Sequence, residues 1–206
     1  MTKLSLSAVI LAGGDSKRMG TNKALLQLEG KNLIDHVFFK LYDLFSEIVI
    51  VTDRPNEFAY LPAKLTGDIF VQEDKNALRG IHAGLTVSAN PSCFVVGCDM
   101  PFLSLSLVEH MSRFALDFDA VVPRLDDYHQ PLFAFYNKSA LNLITTRLEN
   151  KRFKIVDLYS ELKTKEIEEE IIRALDPYLL SFSNINTKED FITAQKQYYD
   201  SQSSDK

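Results

Sequence analysis

Short runs of β-branched and aromatic residues recur along this chain with helical patterns between them, and that alternation restricts its fold more than any other feature. Such runs cross a sheet once, and helical segments between them are the signature of βα units around a mostly parallel sheet. The pattern predicts strands over Leu6 to Ala12, Glu47 to Thr52, Ile69 to Gln72, Cys93 to Gly97, Ala120 to Pro123 and Leu132 to Tyr136. Between the first two, Leu33, Ile34, Val37, Phe38, Leu41 and Phe45 fall three and four apart, which lays one apolar stripe of a helix on the sheet. Further helices are expected over Gly80 to Ala89, Leu105 to Ala115, Lys138 to Leu148 and Phe153 to Leu162. A closing strand and helix are expected near Ser181 to Ile185 and Lys188 to Tyr199. The fold class is therefore α/β, a single domain over residues 1–199 whose mostly parallel sheet is flanked by helices. Residues 200–206, Asp200 to Lys206, form a polar tail too poor in apolar side chains to order itself.

The formal net charge of −5 argues against nucleic acid or an anionic membrane as partner, because those polyanions gather basic surfaces through the whole molecule's field. No apolar run approaches the ~18 residues that a membrane-spanning helix needs, so a soluble chain is expected. The apolar start up to Ala12 is interrupted by serines and leads into a basic glycine-containing loop, which reads as a first core strand rather than a signal peptide. Cys93 and Cys98 are too few for a disulfide framework and lack the paired spacing of a zinc site, which suits a reducing cytoplasm. Any anionic ligand must then be met by a local basic cluster.

One such cluster follows the first strand. In Leu11-Ala-Gly-Gly-Asp-Ser-Lys-Arg-Met-Gly-Thr-Asn-Lys23, Gly13 and Gly14 let backbone N–H groups approach a ligand closely, while Lys17, Arg18 and Lys23 supply cations that phosphate oxygens accept. A glycine pair alone would be an ordinary tight βα turn with a solvated basic face. The string has neither the Gly-x4-Gly-Lys-Ser/Thr spacing of a P-loop nor the Gly-x-Gly-x-x-Gly dinucleotide fingerprint, so another class of nucleotide site is meant. The loops Gly14 to Asn22, Asp53 to Gly67 and Glu73 to Arg79 all follow expected strands, and in open parallel sheets the ligand crevice lies beyond the strands' carboxyl ends.

The pattern Leu-Ala-Gly-Gly-x-Ser-x-Arg-Met-Gly-x-x-Lys resembles the opening motif of molybdenum cofactor guanylyltransferases. Related enzymes that activate sugars or make cytidylyl compounds generally open with Leu-Ala-Ala-Gly, so Gly13 leans towards the guanylyl branch. The resemblance continues through Gly80-Ile-His-Ala-Gly84, Cys98-Asp-Met-Pro101, Gln130-Pro131-Leu132, Arg152 ahead of an apolar stretch, and Asn184-Ile-Asn-Thr187. It covers nearly the whole chain. It implies a Rossmann-like domain of the nucleotide-diphospho-sugar transferase type. The implied activity moves GMP from GTP to the terminal phosphate of Mo-molybdopterin, releasing pyrophosphate, with Mg²⁺ as cofactor. Molybdopterin-synthesis and acceptor proteins are the implied partners.

The resemblance also implies roles. Arg18, Lys23 and Asp99 would be catalytic, with Asp99 holding Mg²⁺; Leu11, Ala12, Gly13, Gly14, Lys23, Asp74 and Asp99 would bind the nucleotide. Gln130, Pro131, Asn184 and Asn186 would face the second substrate. On the residues alone, Asp99 ends a strand before Met-Pro and could equally be a turn or helix-capping aspartate, and Asp74 could be a solvated loop acid. The family usually carries an asparagine near the end of the second strand, where this chain reads Val51-Thr-Asp-Arg54, so Val51, Thr52 or Asp53 takes that place. The family's proline after Gly80 is replaced by Ile81 and His82, and His82 receives no catalytic role. Cys98 lacks a base partner and reads as packing, while His36 and His110 form no metal-ligand spacing and read as surface or packing residues. The run Lys163 to Glu170 reads as a solvated charged segment. Two other functions suit the same loop and Asp99: a sugar-phosphate or cytidylyl nucleotidyltransferase, and a module that senses nucleotide without catalysis.

Overall fold

The structure, a computed structural model, describes residues 3–13, 23–70 and 76–203, the last seven as backbone only. In chain order the elements are β1 (Leu4–Leu11), β2 (Gln27–Leu28), β3 (Lys31–Asn32), α1 (Leu33–Tyr42), β4 (Phe45–Val51), β5 (Lys64–Thr66), α2 (Ala77–Val87) and β6 (Ser92–Gly97). There follow α3 (Leu105–Ser112), β7 (Ala120–Leu125), β8 (Tyr128–His129), β9 (Phe133–Asn137), α4 (Leu141–Glu149), β10 (Thr164–Ile167), α5 (Glu169–Leu175) and α6 (Lys188–Ser203). The main sheet runs β10-β7-β9-β6-β1-β4-β5, with β8 added to β7. β1 is parallel to both neighbours, β4 is parallel to β5 and β7 to β10, whereas β9 lies antiparallel between β6 and β7. The mostly parallel α/β sheet follows from the alternation in the sequence. β2 and β3 form a separate small antiparallel hairpin.

Both faces of β1 are covered, and its residues divide by alternation. Ala8 and Ile10 join the core formed with Ile34, Val37, Phe38 and Leu41 of α1 and Leu107, Val108 and Met111 of α3. Val9 joins the opposite core, with Ile81 and Leu85 of α2 and Ile144 and Leu148 of α4. Every residue of β6 is buried, the unbroken apolar run expected of a strand covered on both faces. Helix α2 comes unusually close to β1: a Cβ at position 84 would lie 2.4 Å from Val9 Cγ1, and one at position 80 would lie 3.0 Å from Leu11 Cδ2. Glycines at these positions let the helix press onto the strand that leads to the site.

Several expected elements are placed differently. Ile69 and Phe70 of the expected strand 69–72 lie in no strand, and Val71 and Gln72 fall outside the described residues. The chain pairs with β4 earlier, as β5, with Val51 opposite Thr66. Phe153 to Leu162 contains only a 3-10 turn, Ile155–Leu158, because Arg147 draws the backbone carbonyl of Asp157 (3.1 Å) and the Glu161 carboxylate to itself. Ser181 to Ile185 forms no strand; a 3-10 turn, Leu180–Phe182, stands at its start, and the N–H groups of Leu180 and Ser181 are taken up by the Asp176 carboxylate. The charged run Lys163 to Glu170 supplies β10 and the start of α5, each anchored by one isoleucine, Ile167 and Ile172. The final helix reaches Ser203, into the segment set aside as tail. No helix among the described residues is long and apolar enough to cross a membrane.

Candidate active site

Leu11 pairs with both Val51 and Gly97, so β1, β4 and β6 end level with one another. The chain leaves β1 through Ala12, whose N–H donates to Val51 O (2.9 Å), and Gly13, where an added Cβ would meet nothing nearer among the described residues than Val51 O at 3.9 Å. Of the loop expected to hold phosphates, Gly14, Lys17 and Arg18 lie outside the described residues, as does Asp74. Lys23, at the far end of that loop, is described.

Beyond β6 the backbone turns sharply. Cys98 N–H donates to Leu11 O (3.1 Å) and Met100 N–H to Gly97 O (3.3 Å). The Asp99 side chain folds back over Gly97, so that a Cβ there would lie 2.5 Å from Asp99 Oδ1. The glycine ending β6 is thus a spatial condition for the position of the carboxylate.

Lys23 Nζ lies 2.7 Å from Asp99 Oδ2 and 2.6 Å from Asn186 Oδ1. The side chains of Lys23 and Asp99 are each 26% exposed, which keeps the pair reachable by a ligand. Asp99 O also accepts the Ile185 N–H (2.8 Å), and Ile185 is buried, so the segment Asn184 to Thr187 is pinned beside β6 by its backbone and by its asparagine. The Asp190 carboxylate accepts from the N–H groups of Asn186 and Thr187, both at 2.9 Å, while Asp190 N–H donates to Thr187 Oγ1. Those two backbone N–H groups hold the Asp190 carboxyl below its ordinary range. Residues separated by 163 positions in sequence, Lys23 and Asn186, meet at the lysine ammonium that also holds the Asp99 carboxylate.

Gln130 and Pro131 lie at the same end of the sheet, because Val96 of β6 pairs with Phe133 at the start of antiparallel β9. Their loop is braced from within. Gln130 N–H donates to Pro123 O (3.0 Å), and the Tyr136 hydroxyl donates to Pro131 O (2.9 Å) while lying 2.7 Å from the Tyr159 hydroxyl. Burial, and then the closeness of the Tyr159 hydroxyl, push the pKa of the Tyr136 hydroxyl well above its ordinary value, so it remains protonated. The His129 ring packs on Tyr159 at 4.7 Å and its Nε2 meets Glu166 Oε1 at 2.7 Å.

On the other side of β1, Val51 O and Thr52 N–H are already engaged, with Ala12 and with Thr66 O. Asp53 is the exposed member of the three residues that could replace the family asparagine. The sequence missed the neighbouring pair: Arg79 Nη2 lies 3.3 Å from Asp68 Oδ2, the arginine 5% and the aspartate 28% exposed. Placing the strand at 69–72 hid Asp68, which follows the end of β5; the legible sign was an arginine directly before Gly80 at the start of a helix.

Burial, then the neighbouring Asp99, push the Cys98 thiol up to about 12, far from a nucleophile. His82 is held below its usual value by burial, with Nε2 3.1 Å from Thr145 Oγ1 of α4. His36 Nε2 lies 3.2 Å from Leu28 O, and His110 packs on Phe114. Among the described residues no group of three or more His, Cys, Asp or Glu gathers as a metal cage. A lone carboxylate at a strand end suits a hard cation such as Mg²⁺, which commonly takes one or two carboxylates and completes its shell with substrate phosphates and water.

The chain matches the MobA-like NTP transferase domain over residues 8–164. It is 40% identical over 196 residues to a protein named probable molybdenum cofactor guanylyltransferase from Natranaerobius thermophilus, covering 93% of this chain and 96% of the relative. It is 36% identical over 193 residues to the molybdenum cofactor guanylyltransferase of Desulfosudis oleivorans, covering 93% and 95%. The crystal structure of molybdopterin-guanine dinucleotide biosynthesis protein A from Archaeoglobus fulgidus superposes with a TM-score of 0.78 at 29% identity, covering 95% of this chain and 100% of that one. A 4-diphosphocytidyl-2C-methyl-D-erythritol synthase from Anaerococcus prevotii shares the fold, with a TM-score of 0.64 at 16% identity.

Proposed function

The chain belongs to the family of MobA-like NTP transferase domains, and from that premise we propose that it transfers GMP from GTP to the terminal phosphate of Mo-molybdopterin. The products are molybdopterin guanine dinucleotide and pyrophosphate. The observation that carries the reading is the meeting of Lys23, Asp99 and Asn186, which joins the phosphate loop's end to the segment expected to face the acceptor. The names of relatives that match over nearly their whole length favour guanylyl transfer over the sugar-phosphate and cytidylyl alternatives.

The reaction needs little proton chemistry. An anionic phosphate oxygen of the pterin attacks the α-phosphorus of GTP, a new phosphoanhydride forms, and the α–β bond breaks with its electron pair leaving on pyrophosphate. The difficulty is bringing two polyanions together and neutralising the charge that develops, so positioning and fixed cations carry the catalysis. Lys23 is held at the junction by Asp99 and Asn186 and can turn its ammonium to the triphosphate, and Arg18 adds a second cation from the same loop. Asp99 would hold Mg²⁺, which when bound supplies neutralisation of phosphate charge. Leu11, Ala12, Gly13 and Gly14 present backbone close to the nucleotide, while Gln130, Pro131, Asn184 and Asn186 line the acceptor side. Asp74 remains a candidate nucleotide contact. Proteins that make molybdopterin and receive the finished cofactor are the partners such a product requires, and a cytoplasmic setting suits the free thiols Cys93 and Cys98.

Pyrophosphate release with GTP, Mg²⁺ and molybdopterin tests the activity. A flat trace beside tight GTP binding would favour a nucleotide sensor, and preference for CTP or UTP would overturn the guanylyl assignment.

A further inference from the structure

In the β6–β9 pair Val96 lies opposite Phe133, and from there β6 runs on to Asp99 while β9 traces back to Pro131 and Gln130. The turn before β9 therefore stands at the same end of the sheet as the Asp99 carboxylate. The backbone polar groups of Gln130 and Pro131 are all engaged within the protein. Gln130 N–H donates to Pro123 O (3.0 Å), and Gln130 O accepts the Phe133 N–H (3.1 Å). Pro131 has no N–H, its ring fixes its own φ, and its carbonyl accepts from the Tyr136 hydroxyl (2.9 Å). What the turn has left to offer a ligand is the half-buried Gln130 side chain, with its amide donors and acceptor.

The bond to Pro131 O comes from a hydroxyl that packing alone does not require. Tyr136 is fully buried in β9, a strand that carries phenylalanine at Phe133 and Phe135. A phenylalanine would fill position 136 without burying a hydroxyl, which costs stability unless it is hydrogen-bonded. A second hydroxyl, on the 8% exposed Tyr159, lies 2.7 Å away. Burial raises the pKa of both groups, so each keeps one O–H to donate. Tyr136 uses its own on Pro131 O, so Tyr159 donates to the Tyr136 oxygen and the chain of donors ends at the turn. Tyr159 is held in its turn. Its ring packs on His129, its carbonyl accepts from Thr164 Oγ1 (3.2 Å), and it follows the 3-10 turn that Arg147 of α4 anchors through Asp157 O.

We propose that Tyr136 and Tyr159 are positioning residues for the acceptor, fixing the Pro131 carbonyl so that the neighbouring Gln130 side chain hydrogen-bonds the acceptor's phosphate. The proposal rests on the guanylyl-transfer reading above. The acceptor's phosphate is the part that must reach the α-phosphorus near Asp99, and an amide N–H₂ donates to its oxygens without bringing a further charge. That contact exists before and during transfer, so its loss falls on the KM for the acceptor rather than on kcat.

The test is steady-state pyrophosphate release by the full chain with Mg²⁺, varying molybdopterin at saturating GTP and then GTP at saturating molybdopterin. Tyr136→Phe should raise the KM for molybdopterin roughly two- to tenfold, the worth of one hydrogen bond, with kcat and the KM for GTP near wild type. Tyr159→Phe leaves the Tyr136 bond in place but unsupported and should give a smaller rise of the same kind. Gln130→Ala should raise the same KM, and adding Tyr136→Phe to it should raise it no further, because the tyrosine acts through the glutamine. A purely structural role would lower the melting temperature without this pattern. If Tyr136→Phe does not fold, the same cycle run on Tyr159→Phe with Gln130→Ala decides the matter. An unchanged KM for molybdopterin in the tyrosine variants overturns the proposal, as do an equal rise in both KM values and effects that add in the double variant; each leaves guanylyl transfer standing. A wild type that releases no pyrophosphate from GTP with molybdopterin overturns both readings together.

Discussion

Lys23 donates from one ammonium to Asp99 Oδ2 and Asn186 Oδ1, and this arrangement decides what its loss would do. In the proposed reaction, truncating it removes a cation from the developing charge at phosphorus while leaving the sheet intact. Lys23→Ala should therefore lower the rate of pyrophosphate release at saturating GTP by about 10²–10³, the usual loss for one preorganised donor, with the melting temperature nearly unchanged. A near-wild-type rate would refute its role. Asp190 makes a prediction about pH. Its folded carboxyl is depressed below the ordinary 3.8 by the N–H groups of Asn186 and Thr187, so its contribution is complete above 3.8 and is lost as pH falls through the lowered value. Melting curves of wild type and Asp190→Asn should thus differ at neutral pH and converge in strong acid; parallel curves throughout would contradict the capping role.

At the scale of elements, the contact of α2 with β1 and the end of β1 make opposite demands on glycine. Gly84→Ala would drive a methyl into Val9, 2.4 Å from Cγ1, and should cost about 1–3 kcal/mol of stability through overpacking. At this chain length that is roughly 2–4 °C of melting temperature for each kcal/mol. Gly13→Ala meets only ordinary contact among the described residues and should melt within about 0.5 kcal/mol of wild type. The elements also differ in how readily they can be read from residues. The stripe Leu33 to Leu41 and the run Cys93 to Gly97 carry their burial in their own periodicity. β5 and β10 are edge strands with few apolar residues, and pairing with Val49 to Val51 and with Ala120 to Pro123 defines them. The segment 153–162 has apolar residues at helical spacing, but Arg147 on α4 claims a backbone carbonyl there that a helix would need.

Across the whole molecule, ligand binding should report on the site as a unit. A nucleotide that binds only the folded chain stabilises it by mass action, by about 2.7 kcal/mol at a hundred times its Kd. In a thermal-shift panel of the four ribonucleoside triphosphates with Mg²⁺, GTP should give the largest rise, and chelating the metal should reduce it. The sequence by itself determined the α/β class, the strand that leads into the basic glycine-containing loop, and the residue types at its rim, because alternation, glycine placement and the string Leu11 to Lys23 are local properties of the chain. Only the tertiary structure decided which of those residues meet. Lys23, Asp99 and Asn186 are brought together by parallel crossovers, and Asp68 is set beside Arg79 by an edge strand whose place depends on its neighbour. Contacts between distant residues depend on how the strands order and register, and that is settled by burying both faces of one sheet rather than by any single segment.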